Sequence, residues 1–353
     1  MRKRRYYRRT IAVLILSMIV LAGGWTAIWY VAAGRVADHV LAWERQQRAD
    51  GWSITHGPPQ RSGWPMAAGV TLPGIRVAGG AQYLPGGIAW QADALTLAVD
   101  IRHPNKLFWG VTGRQTLRAG AGSAIPFQAT TFAGQVALAP DEPSRLFQLH
   151  ATGLIAAVTA LGGTPQPFTV ATLDAAETDD TNADAAGNAL VVAATMTGVG
   201  LPPHLLPGLG GSLRSLSFDA AVSGPVPAQG SAPAPPALAT EALATAWRNA
   251  GGTVGLRALH LADGPLTVDG QGRFELDAFL RPQGSVALHL AGVNETVDRL
   301  AETGTLTRPE ATAIRAVLGL MMRPAGVDTL DAPLNLRDGI LAAGTIPLFR
   351  LPL

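Results

Sequence analysis

The sequence predicts an α+β protein dominated by β-structure. An N-terminal transmembrane helix and stalk precede a long, curved antiparallel β-sheet with a few short helices in its C-terminal part. Three observations predict this class. An uncharged and mostly apolar run separates Arg9 from Arg35. Beyond residue 50, apolar residues alternate with small or polar ones, which is the period of a strand. The 41 Gly and 26 Pro among 353 residues favour many turns over long helices.

The apolar run is long enough to cross a membrane, because a bilayer core of about 30 Å needs roughly 20 helical residues. A cleaved signal peptide is the competing interpretation, but its apolar region is typically about 7–15 residues long and ends in a small-residue cleavage site. Here the run is longer, and Ala32-Ala33-Gly34 matches such a site only weakly. We therefore expect an uncleaved single-pass anchor over residues 1–34.

Basic residues before the apolar run predict its orientation: Arg2, Lys3, Arg4, Arg5, Arg8 and Arg9. Clusters of this kind stay in the cytoplasm by the positive-inside rule. We therefore expect a protein of the bacterial inner membrane, with a cytoplasmic tail and with the chain beyond Gly34 in the periplasm. Aromatic residues favour the membrane–water interface, so Trp25, Trp29 and Tyr30 are the expected anchors in the far headgroup layer.

The net charge of +2 conceals an uneven distribution. Excluding the six basic residues of the tail leaves 27 − 6 = 21 Lys and Arg against 25 Asp and Glu, which gives the rest of the chain a net charge of −4. The sequence pI of about 9.3 therefore reflects the tail and does not indicate a nucleic-acid partner. The lack of Cys excludes disulfides, thiol catalysis and Cys-ligated metals. It fits a bacterial periplasm better than a small secreted scaffold.

Residues 35–50 are expected to continue the helix as a stalk, because Val36, Val40 and Trp43 recur at helical spacing before Gly51. Residues 51–223 form an antiparallel β-rich region. Its predicted strands lie near 52–55, 70–77 with a break at Pro73-Gly74, 94–101, 127–138, 146–152, 168–173, 189–199 and 213–222. Strands at such short spacing favour a meander.

Residues 224–237 form a Pro/Ala-rich linker without periodicity, and residues 238–353 follow as a second region. Apolar residues at helical spacing predict a helix over 239–250. Alternating patterns then predict three strands, near 253–262, 265–279 and 283–291.

Two short helices are predicted next, from their capping residues. Asn294 is the expected cap of the first. Thr307 is the expected cap of the second, with Glu310 three residues on at the capping-box position. A final pair of strands is predicted near 329–336 and 340–348.

No catalytic, cofactor-binding or metal site emerges from the sequence. Among seven scattered histidines, His260 and His289 are the one pair whose strands could bring them close; two unconnected residues are the favoured interpretation. The acidic run 174–184 resembles the start of a calcium loop, but Ala185 and Val191 replace the required Gly and carboxylate, which favours a solvated hairpin loop. Phosphate-binding and nucleophile-elbow patterns are missing. We expect a non-enzymatic protein without cofactors.

Two features remain as candidate binding sites. Arg61, between two Gly/Pro turns, could bind a carboxylate or a phosphate headgroup bidentately, or pair with backbone carbonyls at a sheet end; the second interpretation is favoured. The high apolar content, 48% of residues, also predicts strands with one apolar face. That face could be an ordinary sandwich core or a groove for acyl chains.

The layout resembles a family of uncharacterised, inner-membrane-anchored envelope proteins of Gram-negative bacteria, known as a domain of unknown function. The resemblance rests on the basic tail, the single span, GW-x-x-x-x-GPPQRSGWP, GVTLPGIRV and W-x-x-AGGTVGLRALHLADGPLTVDGQG. The closing DGILAAGTIPL is similar to the endings of AsmA-like proteins. Similarity to AsmA-like proteins would imply a long curved sheet with an apolar trough and a role in envelope lipid handling.

These observations lead to two functional hypotheses. The first is a non-enzymatic, membrane-anchored periplasmic protein that binds or shields lipids or other apolar envelope components. The alternative is a protein-interaction scaffold that docks an inner-membrane or envelope assembly. An apolar sheet face left uncovered by helices would favour the first hypothesis. A filled sandwich core would favour the second.

Overall fold

The computed structural model describes residues 2–81, 86–138, 147–159, 164–180, 189–202, 211–224, 236–321, 328–344 and 346–350. The helices are α1 (Arg2–Ala49), α2 (Pro236–Asn249), α3 (Val293–Glu302) and α4 (Arg308–Met321). The strands of the N-terminal half are β1 (Ser53–Thr55), β2 (Gln60–Ser62), β3 (Ala67–Pro73), β4 (Arg76–Gly79), β5 (Ile88–Asp100), β6 (His103–Ala119), β7 (Ile125–Gln128), β8 (Thr131–Ala137) and β9 (Phe147–Val158). The remaining strands are β10 (Gln166–Asp180), β11 (Ala189–Gly200), β12 (Ser212–Ser223), β13 (Thr253–Asp263), β14 (Leu266–Leu276), β15 (Pro282–Ala291), β16 (Thr329–Arg337), β17 (Ile340–Ala343) and β18 (Ile346–Arg350).

All the described strands belong to one sheet, and their pairings are antiparallel. β3 and β4 share β5 as a partner, and β7 and β8 both lie between β6 and β9. From β9 to β18 each strand pairs with the next one in the chain. The β-dominated class and the antiparallel meander are therefore confirmed. Because β12 pairs with β13, the sheet also continues across the predicted linker 224–237.

Helix α1 is continuous over 48 residues, so the tail, the apolar run and the stalk form one rod about 72 Å long. It ends before Gly51, whose φ of 88° is a left-handed conformation that favours glycine. The stalk's apolar stripe, which includes Val36 and Val40, packs on a buried cluster containing Val70 and Leu72. The amphipathic stripe predicted for the stalk thus joins it to β3.

The two short C-terminal helices differ in how they begin. Thr307 and Glu310 form the predicted capping box: the Thr307 N–H donates to Glu310 Oε2 at 2.8 Å. The predicted Asn294 cap is wrong, because α3 starts after Gly292, which lies in the left-handed region with φ 73°. Asp328, just before β16, supplies the acceptor instead and receives the Asn294 backbone N–H at 3.1 Å and its side-chain amide at 2.9 Å.

Two predicted segments have other boundaries in the structure, and one strand was missed. The single strand expected over 127–138 is two strands, β7 and β8, separated at Thr130, whose N–H donates to Thr152 O at 2.9 Å. The acidic run expected as a loop begins as strand, since β10 extends to Asp180. Its remainder, 181–184, lies outside the described residues. Strand β6 was not predicted.

We expect Thr307→Ala to destabilise the chain by about 1 kcal/mol, because it removes the N-cap oxygen of α4. Hydrogen bonds from the Thr307 N–H and hydroxyl lower the pKa of Glu310 from its ordinary 4.5. A lowered pKa stabilises the fold above about pH 4.5 and loses that effect as pH falls through the folded-state value. The stability difference between wild type and Glu310→Gln, measured by thermal unfolding, should therefore shrink in acid. Thr305→Ala, in the preceding turn, is the control for Thr307→Ala. An equal loss of stability in Thr305→Ala would contradict the assignment of Thr307 as the N-cap of α4.

Candidate functional site

One face of the sheet carries a continuous row of polar side chains across eight neighbouring strands, β9 to β16. Each residue of the row lies directly opposite the next: His150, Asp174, Thr195, Ser217, His260, Asp269, His289 and Asp331. Directly opposed residues point to the same side of a sheet. The register therefore gathers these residues, which are far apart in sequence, into one polar row.

Six members of the polar row form three His–Asp pairs. The Nδ1–Oδ1 distances are 2.7 Å for His150–Asp174, 2.8 Å for His260–Asp269 and 2.8 Å for His289–Asp331. These side chains are 45–65% exposed. His260 and His289 thus share a face but are separated by Asp269. Among the described residues, no group of three or more His, Asp or Glu is arranged to hold a metal ion.

The opposite face of the same strands is apolar. Neighbouring residues along a strand point to opposite faces, so the rows on either side of the polar row both lie there. The first apolar row is Phe132, Ala151, Leu173, Met196, Leu216, Leu261, Val268, Leu290 and Leu330. The second is Gly134, Leu149, Ala175, Ala194, Phe218, Leu259, Gly270, Leu288 and Ala332. Both rows cross nine strands without a polar side chain.

This apolar face is only partly covered. In the first apolar row Ala151 is fully buried, whereas the other eight side chains keep partial exposure. Helix α1 packs on β1–β3, and the cluster formed by α3 and α4 reaches Leu330 at one end of the row. Within the described part of the chain, no helix packs extensively on β9–β12. The side chains of Val170, Val199 and Leu213, beside the first apolar row, are buried. Among the described residues, however, no layer of helices covers the row itself over β9–β12.

Aromatic side chains extend the apolar face towards β6. The Trp109 ring stacks on Phe147 with centroids 5.5 Å apart, and meets Phe132 edge-on at 5.8 Å. Phe127 lies a further 5.8 Å from Phe132. Trp109 also belongs to the hydrophobic cluster on which the α1 stalk packs. Apolar contacts therefore run from the stalk to the first apolar row.

Helix α1 contacts the loop between β2 and β3 through the residues expected to be interface anchors. Trp25 Nε1 donates to Pro65 O at 3.0 Å, and Trp29 Nε1 donates to Ala67 O at 2.7 Å. The guanidinium of Arg61 lies over the Tyr30 ring, 4.0 Å from its centroid. These contacts were not predicted from the sequence. The headgroup role of Arg61 and the interfacial role of the aromatics stay predictions, and the six basic residues of the tail lie in the first turns of α1.

A buried carboxylate joins the stalk to β1. Glu44 is 1% exposed; its Oε2 accepts from Arg48 at 3.0 Å, and its Oε1 lies 2.8 Å from His56 Nε2. Arg48 also donates to the Ile54 carbonyl at 2.8 Å. The sequence places Glu44 among polar stalk residues and gives no sign of burial, because its partner His56 comes from beyond the end of the helix.

The structure thus defines a single-sheet β-protein with contrasting faces. Among the described residues, one helix is long and apolar enough, over Leu14–Ala49, to cross a membrane. The chain belongs to the bacterial family described as "Uncharacterized protein conserved in bacteria (DUF2125)", which matches residues 29–352. The match includes the sheet, the stalk and Arg61. No curated protein and no solved structure was found to be similar to the chain.

Replacing Glu44 with Gln should weaken the attachment of the stalk to the sheet. Breaking a fully buried ion pair costs about 3–5 kcal/mol, and we expect about 2–3 because Arg48 reaches solvent. The measurement is urea unfolding of the full-length protein in detergent. Asp38→Asn, an exposed acid on the same helix, is the matched control. Equal stability of the two variants would contradict the role assigned to Glu44.

Proposed function

We propose that this protein is a non-enzymatic, single-pass protein of the bacterial inner membrane that binds acyl chains of envelope lipids on the apolar face of its sheet. The basic tail lies in the cytoplasm and the sheet in the periplasm. The single observation that carries the proposal is the apolar face itself, which spans nine strands and keeps most of its large side chains partly exposed.

An exposed face of this kind calls for a ligand or partner. Soluble monomers rarely expose contiguous apolar patches larger than a few hundred Å², and covering apolar surface yields about 25 cal/mol per Å². Nine strands about 4.8 Å apart make rows roughly 38 Å long. One acyl chain spans about half of a 30 Å bilayer core, or roughly 15 Å. The face is therefore long enough for at least one entire chain.

The anchor and its orientation support the same proposal. The apolar part of α1 is long enough to span, and Arg and Lys precede it without any acidic residue before Asp38. A single-pass protein fixed in this way keeps its sheet next to a supply of phospholipid. The resemblance to AsmA-like proteins agrees with lipid handling in the envelope. No reaction is proposed, since the sequence contains no nucleophile elbow, phosphate-binding loop or metal-ligand motif.

A scaffold that docks an envelope assembly is the second candidate, and the polar row favours it. Three exposed His–Asp pairs and the hydroxyls of Thr195 and Ser217 present hydrogen-bonding groups along one line. Polar, well-ordered side chains of this kind are typical of the rim of a protein–protein interface. The two candidates use opposite faces of the sheet, which makes them separable by experiment.

Site-specific photo-crosslinking of the full-length protein in bacterial cells tests the proposal. A benzophenone side chain is placed at Leu216 or Leu261 on the apolar face. Matched controls carry it on the polar face of the same strands, at Ser217, which follows Leu216, or at His260, which precedes Leu261. We expect phospholipid adducts, detected by mass spectrometry, at 216 and 261 and not at 217 and 260.

Protein adducts in place of lipid at 216 and 261 would contradict acyl-chain binding and favour a partner on the apolar face. Protein adducts confined to 217 and 260, with no lipid at 216 and 261, would favour the scaffold. Equal lipid labelling at all four positions would mean contact with the membrane surface and no selective binding by one face.

A further inference from the structure

The loop between β2 and β3 presents large apolar side chains at its tip. Trp64 is 57% exposed and Met66 54% exposed, and the neighbouring Ile101 is 49% exposed. The Ile101 N–H donates to Met66 O at 3.3 Å, so these three side chains belong to one small structure. Exposed apolar side chains clustered at a loop tip are unfavourable in water and favourable in a bilayer.

The same loop is fixed beside the apolar part of helix α1. Trp25 donates an indole hydrogen bond to the carbonyl of Pro65 in the loop, and Trp29 donates one to the carbonyl of Ala67, the first residue of β3. A groove of about 770 Å³ lies between the helix and Trp64 and is lined almost wholly by apolar side chains, among them Leu14, Met18 and Leu21. The loop therefore lies alongside the segment proposed to span.

Helix geometry sets the depth of the loop. A core of about 30 Å takes 20 residues at about 1.5 Å each. If the core begins as early as Thr10, directly after Arg9, it ends at Trp29, and Trp25 is about 6 Å inside it. If the apolar core of the bilayer begins further along the helix, Trp25 lies deeper inside it. The Pro65 carbonyl, bonded to Trp25, then lies at or below the boundary of the apolar core.

Most carbonyl groups of the loop are hydrogen-bonded within the protein. In hydrocarbon, unsatisfied backbone groups are costly, so each of these bonds lowers the cost of entering the bilayer. The carbonyls of Gly63, Pro65, Met66 and Ala67 all accept hydrogen bonds, from Ala67 N–H, Trp25, Ile101 N–H and Trp29 respectively. Pro65 has no N–H to satisfy.

Arg61 lies nearer the membrane surface than the loop tip. Its guanidinium covers Tyr30 and comes within 3.8 Å of the position that a Cβ on Gly34 would occupy. Gly34 is nine residues beyond Trp25, or about 13 Å along the helix axis. A guanidinium at this level, in a side chain that is exposed, is suited to a phosphate of the same leaflet.

We infer that residues 63–66 form a second membrane anchor, which enters the leaflet on the sheet side of the bilayer beside helix α1. A phospholipid occupies the groove against Trp64 with an acyl chain and meets Arg61 with its phosphate. This inference rests on the proposed single span. It adds that the first strands of the sheet are held against the membrane at two points, which fixes the orientation of the sheet.

The chain contains no Cys, so single-cysteine variants report one site each. Arg61→Cys, Trp64→Cys and Met66→Cys are labelled with the fluorophore NBD in the full-length protein, which is reconstituted into phosphatidylethanolamine–phosphatidylglycerol vesicles. Met18→Cys, in the apolar run, is the deep control. Phe279→Cys, 77% exposed in the turn between β14 and β15, is the aqueous control. Quenching by lipids with a doxyl group at shallow or deep chain positions reports depth.

We expect labels at 64 and 66 to be quenched at least fivefold more than the label at 279. The label at 61 should be quenched best by the shallow doxyl lipid, and that at 18 by the deep one. If the labels at positions 64 and 66 are quenched no more than the label at 279, while the label at 18 is quenched, the second anchor is overturned and the proposed span is left intact. No quenching at any position, 18 included, would overturn the span and the inference together.

Discussion

The attachment of helix α1 to the first strands is the constraint on which the rest of the structure depends. Apolar packing of Val36 and Val40, the buried Glu44 and two indole hydrogen bonds hold β1–β3 against the helix. β3 pairs with β5, β5 pairs with β6, and the later strands continue the same sheet by antiparallel pairing. The position of every later strand relative to helix α1 therefore follows from this first contact.

Strict alternation along the strands gives the sheet two different faces, and the register decides what each face carries. A slip of one residue would exchange the polar row with its apolar neighbours. The register shifts between Asp219 and Ala220 and between Leu256 and Leu259, so bulges keep the rows aligned across β12 to β14. In the described part of the chain no helix packs extensively on β9–β12. This alignment therefore produces a continuous, partly exposed apolar surface, which we propose binds acyl chains.

Local patterns in the sequence predict the strands well and the long-range contacts poorly. Alternation is enough to place β13 to β15, and Thr307 with Glu310 is enough to place the start of α4. The start of α3 was missed because Asp328, more than thirty residues away, takes the role expected of Asn294. The contacts of Arg61 with Tyr30 and of Glu44 with His56 join the helix to residues beyond Gly51, and no local period contains them.

In the proposed function, the apolar face holds acyl chains in the intact protein. Native mass spectrometry of the full-length chain released from nanodiscs tests it most directly. We expect phospholipids that stay bound at collision energies sufficient to strip the lipids around helix α1. These lipids should be lost in Leu216→Asn/Leu261→Asn and retained in Ser217→Asn/His260→Asn. A chain that emerges free of lipid at those energies, or equal retention in both double variants, would contradict acyl-chain binding by the apolar face.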